Sequence, residues 1–255
     1  MIHPLDHLVV LALAVLFPIR AATVGYRRLR DAPEEEVPRR RLTLYRQIIR
    51  AQWLLVLLVV ALWMWQGRAW SDLGLVARPT VGMFYALGII AVLVTAAWLQ
   101  WLKHRNSDEA WARVLARVAR FKRIMPHSAE DMRWFSAVSV TAGICEEFLY
   151  RAYLLWYLGH WLGPVAAVIV ASVIFGAGHF YQGPPGMART GVVGAIMAGI
   201  YRLAGSIFPG MLLHVLIDLY SGRMVYEANR RAPASPDRAA PDPALPAAPP
   251  AAPAA

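Results

Sequence analysis

The stretch CEEFLYR, residues 145–151, puts three charged side chains inside an apolar segment that covers residues 134–220. Each ionisable side chain at bilayer depth costs about 2.5–3.5 kcal/mol on insertion scales. The same segment also holds His179, His214 and Asp218. Because burial in lipid is so costly, ionisable side chains within membrane segments usually face one another, water or a substrate. We therefore predict that these side chains form a functional site within membrane helices.

The composition of the chain is typical of an integral membrane protein. Of its 255 residues, 58% are hydrophobic and 16% are charged, and the mean hydropathy is +0.43. Soluble domains are roughly 45–50% apolar and about 25% charged. The basic residues behind the formal net charge of +10 lie beside apolar runs. This favours roles in membrane topology and anionic lipid binding, and no nucleic-acid partner is predicted.

Hydropathy predicts an all-α fold, a polytopic membrane bundle of about seven transmembrane helices (range six to eight) with an intramembrane polar cavity. Residues 27–50 are predicted to be a polar loop, and residues 103–133 an amphipathic segment on the membrane surface. The last two spans are short for a membrane core of about 30 Å. The predicted spans cover residues 8–24, 51–65, 81–102, 135–156, 162–181, 191–203 and 207–220.

Three regions follow from this pattern. Residues 1–133 form an N-terminal membrane region with three spans and basic cytoplasmic segments, and residues 134–222 form the core that carries the predicted functional site. Residues 223–255 are rich in Ala and Pro and are predicted to be a disordered tail. The basic segments predict an N-terminus outside and a C-terminus in the cytoplasm, in a bacterial cytoplasmic (inner) membrane. The oligomeric state is left open.

Helical spacing groups the ionisable side chains into pairs that share a face. A helix brings residues four apart together, while Glu146 is rotated by about 100° from its neighbour Glu147. One glutamate can therefore be held by an arginine while the other faces the site. The pairs at this spacing are Glu147 with Arg151, Phe175 with His179, and His214 with Asp218.

These residue types suit the hydrolysis of a carbonyl compound by activated water. A glutamate that faces a histidine can take a proton from water, and a second histidine can stabilise an oxyanion. Glu146, His179 and His214 would also suit a catalytic zinc with an open coordination position. The His-Glu-x-x-His pattern of zinc proteases is not found in the sequence. We favour a reaction without a cofactor, with zinc left open.

The ordered motifs Glu-Glu-x-x-x-Arg, Phe-x-x-x-His and His-x-x-x-Asp, each in an apolar helix, resemble those of a known family. This is the CAAX-protease and bacteriocin-processing (CPBP) family, the Rce1-like intramembrane endopeptidases, also called the Abi family or type II CAAX prenyl endopeptidases. The resemblance covers residues 135–220. It implies an intramembrane protease, either glutamate-type or a metallo-endopeptidase.

The resemblance also implies a role for each motif residue. Glu146 would activate the attacking water, assisted by His179. His214 and Asp218 would stabilise the oxyanion. The family commonly has Asn at the last position, and an ionised aspartate cannot donate a hydrogen bond. The favoured role of Asp218 is therefore to orient His214. The supporting residues would be Glu147, Arg151 and Phe175.

The predicted function is therefore hydrolysis of a peptide bond in a membrane-associated protein or peptide. The lipid bilayer is the other predicted partner. One alternative is a non-catalytic membrane immunity or scaffold protein of the same fold, which the intact set Glu146, His179 and His214 disfavours. A proton-coupled transporter is a second alternative, disfavoured because the sequence shows no internal repeat. The sequence does not identify the substrate, its cleavage site or any need for prenylation.

Overall fold

The computed structural model describes residues 2–20 and 25–232, and within these ranges it contains helices, turns and no β-strand. Hydrophobic residues at helical spacing produce this all-α architecture. The helices of the N-terminal part are α1 (Pro4–Leu11), α2 (Phe17–Arg20), α3 (Arg27–Arg30), α4 (Val37–Trp65) and α5 (Val81–His104).

The C-terminal part carries the predicted site residues. A π-helical segment over Glu147–Leu154 interrupts the long helical stretch between its second and third helices. All eight residues of this segment are buried, including Glu147 and Arg151. The helices of this part are α6 (Asp108–Val118), α7 (Ala129–Glu146), α8 (Leu155–Gly178), α9 (Pro184–Ala204) and α10 (Phe208–Arg231).

The polar loop predicted over residues 27–50 is wrong for most of its length, because α4 already begins at Val37. A proline in its first turn suits a helix start, where its missing N–H removes no bond. Arg41 is buried and lies 2.7 Å from the Asp131 carboxylate. This internal ion pair gives one arginine of the basic stretch a buried partner on α7.

Among the residues that the structure describes, three helical stretches are long and apolar enough to cross a membrane: Glu34–Trp65, Val81–His104 and Ala129–Gly178. The third is broken at Gly163, whose φ of 71° and ψ of 171° suit glycine alone. Its two arms fold back on each other, so that the ring centres of Tyr150 and Phe175 lie 5.1 Å apart. The arms correspond to the predicted spans 135–156 and 162–181. The count of seven spans stays a prediction.

The last two helices are longer than the short spans predicted, with 21 residues in α9 and 24 in α10. Because α10 continues to Arg231, the predicted start of the disordered tail at residue 223 is too early. Met224, Val225 and Ala228 instead pack against α6. The rest of the predicted tail, residues 233–255, lies outside the described residues.

Helix α7 lies between α4 and α10 and thereby sets the position of the site. At Gly143 an added Cβ would come within 2.4 Å of Val215 Cγ2 and 2.8 Å of the Val215 backbone nitrogen. Only glycine allows this close approach of α7 to α10. The approach brings Glu146 and Glu147, less than two turns later, next to His214.

A cluster of buried polar side chains links α1 to the rest of the bundle by hydrogen bonds. Asp6 is fully buried and accepts hydrogen bonds from Arg68 at 2.9 and 2.6 Å and from the Tyr153 hydroxyl at 2.7 Å. The Arg68 guanidinium lies over the rings of Trp63 and Trp156. The charge of Asp6 is thereby balanced inside the protein.

Candidate active site

Glu146, the last residue of α7, is held at one of its two carboxylate oxygens. The side-chain amide of Gln52, on α4, donates a hydrogen bond to Oε1 of Glu146 at 2.7 Å. The other oxygen, Oε2, lies 3.9 Å from Nε2 of His214. The Glu146 side chain is 14% exposed, so it stands at the edge of the buried core.

Glu147, one residue later, is fully buried and contacts two cationic or potentially cationic groups. Nδ1 of His214 donates a hydrogen bond to Oε1 of Glu147 at 2.9 Å, since a carboxylate can only accept. Nη1 of Arg151 lies 3.3 Å from the same oxygen. The Arg151 guanidinium also lies 4.0 Å from the centre of the Phe175 ring. Glu147 therefore joins His214 to Arg151.

His179 follows the last turn of α8, and one of its ring nitrogens bonds to the backbone. Its Nδ1 lies 2.9 Å from the carbonyl oxygen of Phe175. Because a carbonyl only accepts, Nδ1 carries the hydrogen and the neutral ring keeps Nε2 as an acceptor. The ring also packs against the rings of Phe175 and Tyr181.

One cavity of about 590 Å³ connects these side chains. Its wall includes Glu146, His179, His214 and Asp218, which come from α7, from the end of α8 and from α10. Glu147 and Arg151 do not line this cavity; they lie behind His214. The four residues that the resemblance assigns to the chemistry thus share one space. Of the three predicted supporting residues, Phe175 also lines this cavity, while Glu147 and Arg151 lie outside it.

Asp218 does not have the position expected of a residue that orients His214. Its Oδ2 lies 3.8 Å from Nε2 of His214, which is beyond hydrogen-bonding distance. Nδ1 is instead bonded to Glu147, which is fully buried, whereas the Asp218 side chain is 35% exposed. Glu147 therefore orients the imidazole, and Asp218 faces the cavity beside it.

Sequence reasoning missed Gln52, which lies 94 positions before Glu146 and outside the predicted core of residues 134–222. A lone glutamine in an apolar helix carries no motif. Only its polar character within the predicted span 51–65 could have drawn attention to it.

The fit of a metal ion to these residues can be judged from the donor arrangement. Within residues 2–20 and 25–232, no group of three or more His, Cys, Asp and Glu side chains is arranged to hold a metal ion. Of the three predicted ligands, His214 bonds Glu147 through Nδ1, so only its Nε2 could bind a metal ion. The donors as placed do not fit a zinc site, and we derive no catalytic step through a metal.

Comparison with known proteins gives one match. Residues 128–220 match the family model for Rce1-like proteins, the type II CAAX prenyl endopeptidases. No curated protein and no solved structure matches the chain. The family match supports a CAAX-protease-type enzyme, and with the apolar helices it supports an integral membrane protein. Residues 128–220 of this membrane protein therefore form an Rce1-like type II CAAX prenyl endopeptidase domain.

Proposed function

We propose that this protein is an intramembrane endopeptidase in which Glu146 takes the proton from the attacking water. The observation that carries the proposal is the convergence of Glu146, His179, His214 and Asp218 on one cavity. Few arrangements bring two carboxylates and two imidazoles together between apolar helices without a chemical use. The family match over residues 128–220 supports the same reaction class.

Hydrolysis begins with a water molecule between Glu146 and the scissile carbonyl. Oε2 of Glu146 receives a proton while the water oxygen bonds to the carbonyl carbon. The electron pair of the carbonyl π bond moves to its oxygen and forms an oxyanion. His179 assists, because its free Nε2 can accept a hydrogen bond from the same water.

The oxyanion forms on the side of His214. Glu147 fixes this ring by accepting from Nδ1. In the imidazolium form the ring also donates from Nε2, which faces the cavity, and such a fixed charged donor favours the transition state. Collapse of the tetrahedral intermediate breaks the C–N bond, and the proton held by Glu146 passes to the leaving amine.

The substrate we propose is a peptide segment associated with the membrane. Apolar side chains form much of the cavity wall, and the side chains of Glu146, His179 and His214 face the same space. This combination suits a lipid-anchored or hydrophobic peptide whose amide bond lies beside these three side chains. The apolar lining includes Val114, Phe121, Val193, Met197 and Ile217.

The test is cleavage by the full chain reconstituted in liposomes, using a farnesylated peptide with a C-terminal CAAX sequence and the same peptide without the lipid. Mass spectrometry of the products gives the cleaved bond. We expect wild type to cut and His179→Ala to lose most activity. His160→Ala is the matched control, because His160 is exposed and lies on α8, the helix that His179 follows.

A wild type that cuts neither peptide, and leaves the peptides of its host membrane unchanged, would contradict the proposal. Full activity of the folded His179→Ala variant would remove His179 from the mechanism. Persistence of the cellular function in a cleavage-dead variant would instead favour an immunity or scaffold role.

A further inference from the structure

The side chain of Gln52 lies outside the matched domain but contacts a residue inside it. Gln52 lies on α4, outside residues 128–220, and is only 3% exposed. Its Nε2 donates to Oε1 of Glu146 at 2.7 Å, and the residue lines the same cavity. A buried amide therefore reaches from a separate helix to the proposed catalytic carboxylate.

The hydrogen bonds of Gln52 argue against a role in holding helices together. The bond to Glu146 is the side chain's one hydrogen bond within the described part of the chain, and its Oε1 is buried with no hydrogen-bond partner there. A buried acceptor without a partner disfavours folding, so an apolar side chain would serve packing alone better.

The bond leaves the two oxygens of Glu146 inequivalent. Oε1 is occupied by the Gln52 amide, while Oε2 has no hydrogen-bond partner among the described residues and lies on the side of His214. A carboxylate fixed at one oxygen cannot rotate freely, so the other oxygen keeps a constant direction toward the cavity.

We propose that Gln52 is a positioning residue that holds Glu146 for proton transfer, an inference that rests on the proposed function. The amide donates to Oε1 and thereby directs Oε2 at the water. It also stabilises the ionised carboxylate that the reaction needs, because hydrogen bonds to a charged acceptor are among the stronger ones. The Rce1-like domain is thus completed by a residue of the preceding membrane region.

The test compares Gln52→Met with wild type on the liposome assay. Methionine fills a similar volume but donates no hydrogen bond, so we expect kcat to fall about 10- to 100-fold. The effect should fall on kcat rather than on KM, because the hydrogen bond that is lost joins Gln52 to Glu146 and not to the substrate. Gln47→Met is the matched control, since Gln47 lies on the exposed face of the same helix and we expect it to keep wild-type kcat.

Gln52→Glu gives a readout that a packing role would not produce. Two carboxylates at this distance repel each other, so the pair holds one shared proton up to a higher pH than a lone carboxyl group would. At high pH the variant is inactive; as the pH falls, the introduced carboxyl group becomes protonated and can donate to Glu146 as the amide does, and activity partly returns. Wild type measured in parallel accounts for the other titratable and charged groups of the cavity, which are Tyr45, Arg117, Tyr150, His179, Tyr181, Arg189, His214, Asp218 and Tyr220.

A folded Gln52→Met variant with the kcat of Gln47→Met would overturn the inference. If Gln52→Met does not fold, the pH profile of Gln52→Glu decides, and the absence of any recovery on acidification would overturn the inference. Loss of activity in Glu146→Gln together with normal Gln52 variants would leave the proposed function intact. An active Glu146→Gln variant would instead refute the proposed function itself.

Discussion

We expect Glu147→Leu to destabilise the protein and to abolish activity, although Glu147 does not line the cavity. The substitution removes the acceptor of the His214 Nδ1 hydrogen and the counter-ion of Arg151. Arg151 is 3% exposed, so its guanidinium would remain buried without a compensating charge. The imidazole would also lose the bond that fixes its orientation.

The expected size of the effect follows from the distances. Nη1 of Arg151 and Oε1 of Glu147 are 3.3 Å apart, which corresponds to an attraction of about 5 kcal/mol at an effective dielectric constant of roughly 20. Desolvation of both charges offsets much of this attraction in the intact pair. Removal of one partner from a buried pair typically costs about 3–5 kcal/mol, and we expect a loss of free energy of unfolding in that range.

A double variant separates the charge effect from the effect on His214. In Glu147→Leu/Arg151→Met both charges are gone, so most of the lost stability should return. The imidazole still lacks its acceptor, so activity should stay low. Glu109→Ala is the control, because its pair with Arg113 is exposed on α6 and contributes little.

Stability can be followed through the native thiol. Cys145 is the single cysteine of the chain and is fully buried next to the site. A fluorogenic thiol reagent in detergent therefore reports opening of the core during heating. The reasoning would be refuted by a Glu147→Leu variant that exposes Cys145 at the wild-type temperature, or by a double variant no more stable than the single one.

Three further outcomes are expected. Gly163→Ala should lower the free energy of unfolding by about 1–3 kcal/mol, measured by Cys145 labelling, since the backbone conformation of Gly163 is essentially restricted to glycine. Gly159→Ala is the control; it lies at an exposed helical position and should leave stability unchanged. Asp6→Asn should lower stability by about 1.5–3 kcal/mol while kcat is retained, because its charged hydrogen bonds lie away from the cavity. Cleavage should persist after treatment with a metal chelator; elemental analysis that finds stoichiometric zinc lost together with activity would overturn the metal-free reaction.

The local geometry of the site follows closely from the sequence. Spacing of four along a helix predicted the contact of Glu147 with Arg151 and the shared face of Phe175 and His179, and the structure shows both. These pairs depend only on helical periodicity. The free-energy cost of placing ionisable side chains in apolar helices then indicated which of these pairs belong to the site.

The contacts between helices could not be predicted in the same way. Glu147 and His214 are 67 positions apart, and Gln52 and Glu146 are 94 apart. Which helices lie side by side depends on packing, for example the close approach at Gly143, and periodicity carries no information about this. The π-helical segment after Glu146 was hidden as well, because all its residues are buried.

The most direct test of the central claim is the turnover of Glu146→Gln in liposomes, measured with the peptide that wild type cleaves. The amide keeps the shape of the side chain but cannot accept the proton of water, so we expect kcat to fall at least about 100-fold, within the usual range for loss of a general base. Glu130→Gln on the exposed start of α7 should retain wild-type turnover. A folded Glu146→Gln variant as active as Glu130→Gln would contradict the account.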